Sequence, residues 1–308
     1  MIRHKYHDEK QDLENSIFQM LTLDEFRTLG LGGKDAQAMV SKRNLAHIKE
    51  NGVGGYLRPG GDKLGSFRGK RTPDEITARC TKGWREGAQK MAGLTRDIGN
   101  VLTTLGVKDT RRRAAWREDG DDLDLDRFWN GDYDTCWRTS VRDARGMFPV
   151  VSLISSWGGH CGRNARELFW SGAAALVTAD ALEDAGYSVE LVLCNTTRQG
   201  YDKSWGCASA IQIKRSDQPL NIEALAGVGC DVGVFRTYGF NTMPLVGGKK
   251  HMCDGSLGRP TSAHLWDHGK WPTEGTPIMM PDSFTMDEAI TSVRKTLEGY
   301  TSPQQQGA

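Results

Sequence analysis

No stretch of this chain approaches the roughly 20 consecutive apolar residues that a membrane-crossing helix needs, and its N-terminus has no apolar segment behind the charges. The expectation is a protein without a membrane partner or a secretory leader. An excess of one charge is lacking too: forty basic against thirty-nine acidic residues leave a formal +1. That removes the whole-chain attraction for nucleic acid or anionic lipid and leaves only local patches. The seven cysteines are an odd count with no paired spacing, which fits reduced thiols in a cytoplasm better than a disulfide scaffold. The nucleophile-elbow pattern G-x-S-x-G is missing. A metal-site C-x-x-C hairpin is missing as well.

What is present is concentrated between Pro149 and Thr196. Val150, Val151, Leu153 and Ile154 form a β-branched-rich run that ends at Ser155, Ser156 and two glycines, the pattern of a buried strand meeting a turn. From about Arg163 to Ala185 apolar residues recur at helical spacing, Gly186 supplies a stop, and a second apolar run spans Val189 to Cys194. A strand-helix-strand unit of this kind predicts parallel strands joined by a right-handed crossover, with ligands outside the carboxyl ends of the strands. The candidate interaction loop is therefore Ser155, Ser156, Trp157 and His160, joined by Arg236 and Asp282, which follow later predicted strands. That loop has neither P-loop nor dinucleotide glycine spacing, and His160 beside Ser156 is sequence adjacency rather than triad geometry.

The rest of the chain predicts a helix through Leu13, Ile17, Phe18 and Leu21 and another over Asp35 to Glu50. A glycine- and arginine-rich connector follows. It reads first as a linker, and alternatively as a nucleic-acid-contacting loop through Arg58, Lys63, Arg68, Lys70 and Arg71, interleaved with Tyr56 and Phe67. Thr72-Pro73-Asp74-Glu75 is a helix start, predicting a helix to about Met91 and a further one from Leu94 to Leu105. The acidic alternation around Leu123 and Leu125 reads as an extended edge. Phe128, Trp129, Tyr133 and Trp137 surround a turn at Asn130-Gly131-Asp132 and are expected to pack against the later domain. Short strands are predicted at Cys207 to Lys214, Val232 to Phe235 and Ile278 to Met280, and an amphipathic helix from Phe284 to Glu298. The aperiodic stretch Tyr238 to Gly275 contains His251, Cys253, His264 and His268, with three residues between the last two histidines. This spacing suits one structural zinc, the single cofactor the sequence suggests.

This element order, with the Leu182-Glu183-Asp184-Ala185-Gly186 turn, resembles von Willebrand factor A domains, in the variant at the end of cobalt-chelatase-type subunits. The whole chain, with its WREG and DLDRFWNGDYDTCW stretches, is similar to an uncharacterised family of phage and bacterial proteins ending in such a domain. The resemblance implies an α/β fold with a doubly wound, mostly parallel, Rossmann-like sheet and one short antiparallel edge strand at Cys207 to Lys214. It divides the chain into a helical N-terminal extension with the connector (1–71), a helical and aromatic cap (72–147), the A-like domain (148–299) and a tail (300–308). A metal-ion-dependent adhesion site has Asp-x-Ser-x-Ser after its first strand, and here Ser152-x-Ile154-x-Ser156 stands in that register. Without the aspartate a hard cation loses its anionic ligand. The expected function is accordingly a non-enzymatic interaction or assembly protein, with a protein partner or self-assembly, in a cytoplasm or, if phage-encoded, a virion. The alternatives are a metal-dependent enzyme or ATPase accessory subunit, and a nucleic-acid-associated protein.

Overall fold

The computed structural model describes residues 2–6, 16–31, 69, 71–104, 113–117, 122–123, 128–129, 131, 133, 136–141, 150–157, 163–199, 205–242, 259–261 and 273–301. In chain order the elements are β1 (Ile2–Tyr6), β2 (Ser16–Thr22), α1 (Leu23–Leu31), α2 (Pro73–Lys82), α3 (Arg85–Thr104), β3 (Arg113–Arg117), β4 (Asp122–Leu123) and β5 (Trp137–Val141). The second half adds β6 (Val150–Ser156), α4 (Ala165–Asp184), β7 (Ser188–Gln199), β8 (Trp205–Lys214), α5 (Ile222–Cys230), α6 (Val232–Val234), β9 (Arg259–Thr261), β10 (Thr276–Met279) and α7 (Met286–Thr301). A π-helical turn, Phe235–Gly239, continues α6.

The expected strand-helix-strand unit is β6-α4-β7, with β6 and β7 parallel from Val150 opposite Ser188 to Ser156 opposite Cys194. β10 lies parallel on the other side of β6, and β8 is antiparallel to β7. The strand order is β1-β2-β8-β7-β6-β10, with β9 added to β7. The class is thus α/β, with a parallel group at β7, β6 and β10. β8 differs from its expected form: it is ten residues long and interior, because β2 pairs parallel with it on the far side.

That pairing also corrects the N-terminus. Ile17, Phe18 and Leu21 belong to a strand, not a helix, and the described residues 2–6 and 16–31 contribute two strands to the main sheet and a helix packed against it instead of a separate helical extension. The free edge of β8 supplied a ladder that local helical spacing did not reveal, and tertiary pairing outweighed weak local preference.

Strand alternation sorts the core into two faces. Val151, Leu153, Val189, Leu191, Leu193, Ile211 and Ile213 face a layer built from α4, α5, α6, α1 and α7, with α2 and α3 outside it. Met20, Ile154, Val192, Cys194 and Ala210 form a smaller buried cluster on the opposite face. Among the described residues the helices all lie on the first face, so a doubly wound arrangement is not built from them.

Local chemistry explains the helix ends. The Thr72 hydroxyl accepts from Glu75 N while the Glu75 carboxylate accepts from Thr72 N, a capping box opening α2. Asn164 and Glu167 do the same for α4. Gly186, at φ +95, closes α4: Gly186 N donates to Glu183 O and Tyr187 N to Leu182 O. The expected helix to Met91 instead breaks at Gly83, where φ is +92 and a Cβ would stand 2.5 Å from Glu223 O. Trp84 N, freed there, donates to Glu223 O at 2.8 Å, and α3 then runs unbroken from Arg85.

Val232 to Phe235, expected as a strand, is helical. Asp231 caps it by accepting from Gly233 N at 2.6 Å, and the Thr237 hydroxyl donates to Gly233 O. A short apolar run buried on all sides looks alike in either conformation.

Candidate functional site

The carboxyl ends of β6, β7 and β10 are the place where a ligand is expected, and the chain's own side chains occupy much of it. Trp157 is buried, its Nε1 donating to Val228 O at 2.9 Å, with Phe26 and Phe235 edge-on to its ring at centroid distances of 5.4 and 5.0 Å. It is a strut between β6 and α5, not the exposed loop residue expected. Arg236 is also buried and donates to Arg163 O at 2.6 Å, which ties the π turn to the start of α4. The Ser155 hydroxyl donates to Ser171 O at 3.4 Å, and Ser171 Oγ donates to Ser283 O at 2.8 Å. The segment after β10 is thereby docked on α4. Asp282, beside Ser283, is exposed, and Ser156 is half-buried.

The N-terminus of α4 points to the same edge. Asn164 Oδ1 accepts from Arg166 N and Glu167 N at 2.9 and 3.0 Å. The donors that would bind an anion there already serve the cap. Arg163 pairs with Glu167 at 2.9 Å and stacks over Phe284 at 4.0 Å. Glu167 is held below the usual carboxylate range by the Asn164 N–H and then by Arg163.

The adhesion-site register does not assemble. Ser152 lies fully buried inside β6, hydrogen-bonded to Glu190, and Ile154 belongs to the opposite-face cluster, which leaves Ser156 alone at the strand end. Among the described residues no three His, Cys, Asp or Glu side chains gather as a metal would require, so this donor set does not fit a hard cation. His160, the proposed zinc ligands His251, Cys253, His264 and His268, and the basic residues Arg58, Lys63, Arg68 and Lys70 lie outside the described residues.

Arg71 is described, and it belongs to a cluster that sequence reading missed. Asp231, with no exposed side-chain surface, receives Arg79 Nη1 at 2.5 Å and Arg71 Nε at 3.3 Å. Arg79, Arg71 and Lys90 stand 4.3, 5.4 and 5.4 Å from the Trp84 ring centroid. Burial lowers the Arg71 pKa, against the pull of Asp231. Arg71 thus braces α2 against α6 and is not displayed to solvent as a nucleic-acid contact. The sequence signal was an aspartate flanked by apolar residues in Cys230-Asp231-Val232.

A second missed network sits at the amino end of the strands. Glu190 is fully buried on the face away from the helices and accepts from Ser152 Oγ, from Gln212 Nε2 at 2.6 Å and from Glu274 N at 2.8 Å. Gly275 N donates to Ser152 Oγ at 2.9 Å. These bonds fix the entry into β10 and satisfy the carboxylate. The carboxylate within Val189-Glu190-Leu191-Val192 was its sequence signal.

The strongest exposed feature lies elsewhere, in the connection between β4 and β5 of the small antiparallel sheet β3-β5-β4. Phe128 is half-buried and meets Trp129 and Tyr133 edge-on at 5.6 and 5.3 Å, while Gly131, at φ +88, turns the chain between them with Gly131 N donating to Phe128 O. Trp129 is 79% exposed and Tyr133 59%. The turn is as expected; Trp129 and Tyr133 face solvent instead of packing, while Phe128 and Trp137 are half-buried.

Among the described residues no helix is long and apolar enough to cross a membrane. No curated protein and no solved structure matches the chain. A family model described as a domain of unknown function, DUF7192, matches residues 35–303, and the chain belongs to that family.

Proposed function

We propose that this chain is a non-enzymatic protein-interaction or assembly protein, built on a von Willebrand factor A-like domain whose metal-ion-dependent adhesion site is degenerate. The observation that carries this reading is the exposure of Trp129 and Tyr133 between β4 and β5. Aromatic side chains set out in solvent are costly for a monomer and are the residues enriched at the centres of protein interfaces. Support also comes from the strand-end region, where Trp157, Arg236 and the α4 cap serve internal contacts.

The test is sedimentation velocity over a concentration series, together with affinity capture from the native host, using the wild-type chain and the double variant W129A/Y133A. A defined oligomer or stoichiometric complex that the double variant loses supports the reading. A monomer without a complex, or assembly indifferent to both substitutions, overturns it.

A further inference from the structure

β10 is the last strand at its end of the main sheet, and among the described residues only β6 pairs with it. Met280 N donates to Ile154 O at 2.8 Å. Alternation along a parallel ladder turns the backbone groups of Ile278 the same way, and those of Pro277 and Met279 to the open side. Proline has no N–H. The open edge therefore offers one donor, Met279 N–H, against two acceptors, Pro277 O and Met279 O. Thr276 and Pro277 are exposed.

This imbalance selects the occupant. Two copies of the edge laid together bring one donor each for two acceptors each, and proline at a sheet edge is a barrier to such self-pairing. An extended chain without proline presents an N–H and a C=O at every second residue. Its N–H groups fill both acceptors while one of its carbonyls takes Met279 N–H, the pattern of an added strand. A groove of about 390 Å³ runs beside the edge, between β10 and α7. Ile278, Met279 and Pro281 supply apolar wall, and Gly299 leaves room, with nothing within 4 Å of an added Cβ. Lys295 is the one charged side chain lining it among the described residues. Apolar side chains from the added strand fit that groove, and a carboxylate among them meets Lys295 and sets the register.

We infer that the open edge of β10 and the groove beside α7 take up an extended, apolar, carboxylate-bearing segment of a partner protein as an added strand. This goes beyond the reading above and uses a surface separate from Trp129 and Tyr133.

The probe is a displayed library of random ten-residue linear peptides, panned on the full chain. Enriched sequences are synthesised with fluorescein and titrated by anisotropy. The expected result is peptides of alternating apolar residues with one Asp or Glu. Met279→Pro, which removes only the outward donor, and Gly299→Leu, which fills the groove, should each weaken binding about tenfold or more, the scale of a central contact. Lys295→Glu should weaken it too, and a peptide with lysine in place of its acid should restore it. N-methylating alternate amides of the peptide separates pairing from simple apolar contact: one alternate set should abolish binding and the other should leave it unchanged. Circular dichroism confirms that each variant is folded, and the methylated peptides need no variant at all. No enriched peptide, binding indifferent to Gly299→Leu, or equal tolerance of both methylated sets overturns the inference. So does loss of peptide binding in W129A/Y133A, which places the peptide on the rings. None of these results touches the oligomer or complex that tests the interaction reading, and loss of that complex in W129A/Y133A leaves the edge of β10 unaffected.

Discussion

Arg79 reaches across 152 positions of sequence to place Nη1 2.5 Å from Oδ2 of Asp231. Arg71 approaches the same oxygen, and the other carboxylate oxygen caps Gly233 N. Removing Asp231 leaves two guanidinium groups, each less than a quarter exposed, without their anion. Breaking such a pair costs about 3–5 kcal/mol. Asp231→Ala should therefore lower the midpoint of urea unfolding strongly, whereas Arg79→Met, which leaves Arg71 on the carboxylate, should cost less. Equal midpoints for wild type and Asp231→Ala would disprove the role given to this cluster.

Gly172 on α4 packs so closely on α5 that a Cβ would lie 1.9 Å from Gly229 O, a backbone atom that cannot swing away. Gly172→Ala should separate the two helices and destabilise the fold by about 3 kcal/mol or more, the upper range of overpacking in a core. Gly299, on α7, has nothing within 4 Å of the same added atom. Gly299→Ala should be neutral or stabilising, by up to about 1 kcal/mol, from helix propensity alone. Thermal melts of the pair separate close approach from a general intolerance of substitution.

The two capping boxes give stability a defined acid limit. Glu75 lies below its ordinary pKa because Thr72 N and then the Thr72 hydroxyl donate to it, and Glu167 because Asn164 N and then Arg163 do. A carboxylate whose folded pKa is depressed adds stability above its unfolded pKa, about 4.3 for Glu. That stability is lost as pH falls through the folded value. The melting temperature should hold from neutrality to about pH 5 and fall below it. The double variant Glu75→Gln and Glu167→Gln should start lower at pH 7 and fall less steeply.

Thiol chemistry provides a direct reading of the core. Cys80, Cys136, Cys194 and Cys230 are buried and form no disulfide; burial pushes the Cys80 thiol up to about 12 and raises Cys230 further. A thiol of this kind supplies almost no thiolate near neutral pH. Ellman titration of the native protein should count no more than the remaining three, Cys161, Cys207 and Cys253, with all seven appearing in denaturant. Rapid modification of Cys80 in the folded protein would contradict the packing of α2 on α5.

Periodicity made much of the architecture legible, because the residues in question signal it locally. Val150 to Cys194 is one crossover unit whose apolar strands, asparagine-capped helix and closing glycine are all sequence neighbours. Thr72 to Glu75 announced α2 in the same way, as an explicit cap. The failures belong to residues whose conformation is set from a distance. Phe18 is a strand residue because Ala208 lies opposite it, and Gly83 ends a helix because Glu223 O comes up against it. Valines 232 and 234 are helical because Asp231 caps them. At the site, sequence reading named the right strand end and missed that Trp157 and Arg236 turn inward, since burial by α5 and α4 is a property of the packed layers.

The pairing of β2 with β8 also has a consequence for synthesis. Ile17 leaves the ribosome some 190 residues before its partner Cys207, and at about 5–20 residues per second that is a delay of ~10–40 s. Throughout that interval β1 and β2 can at most form an isolated hairpin, a unit marginal by itself in water. This segment is therefore locked in place long after it is made. A nascent chain halted before Trp205 should expose the apolar run of β2 to chaperones, and one halted beyond Lys214 should not.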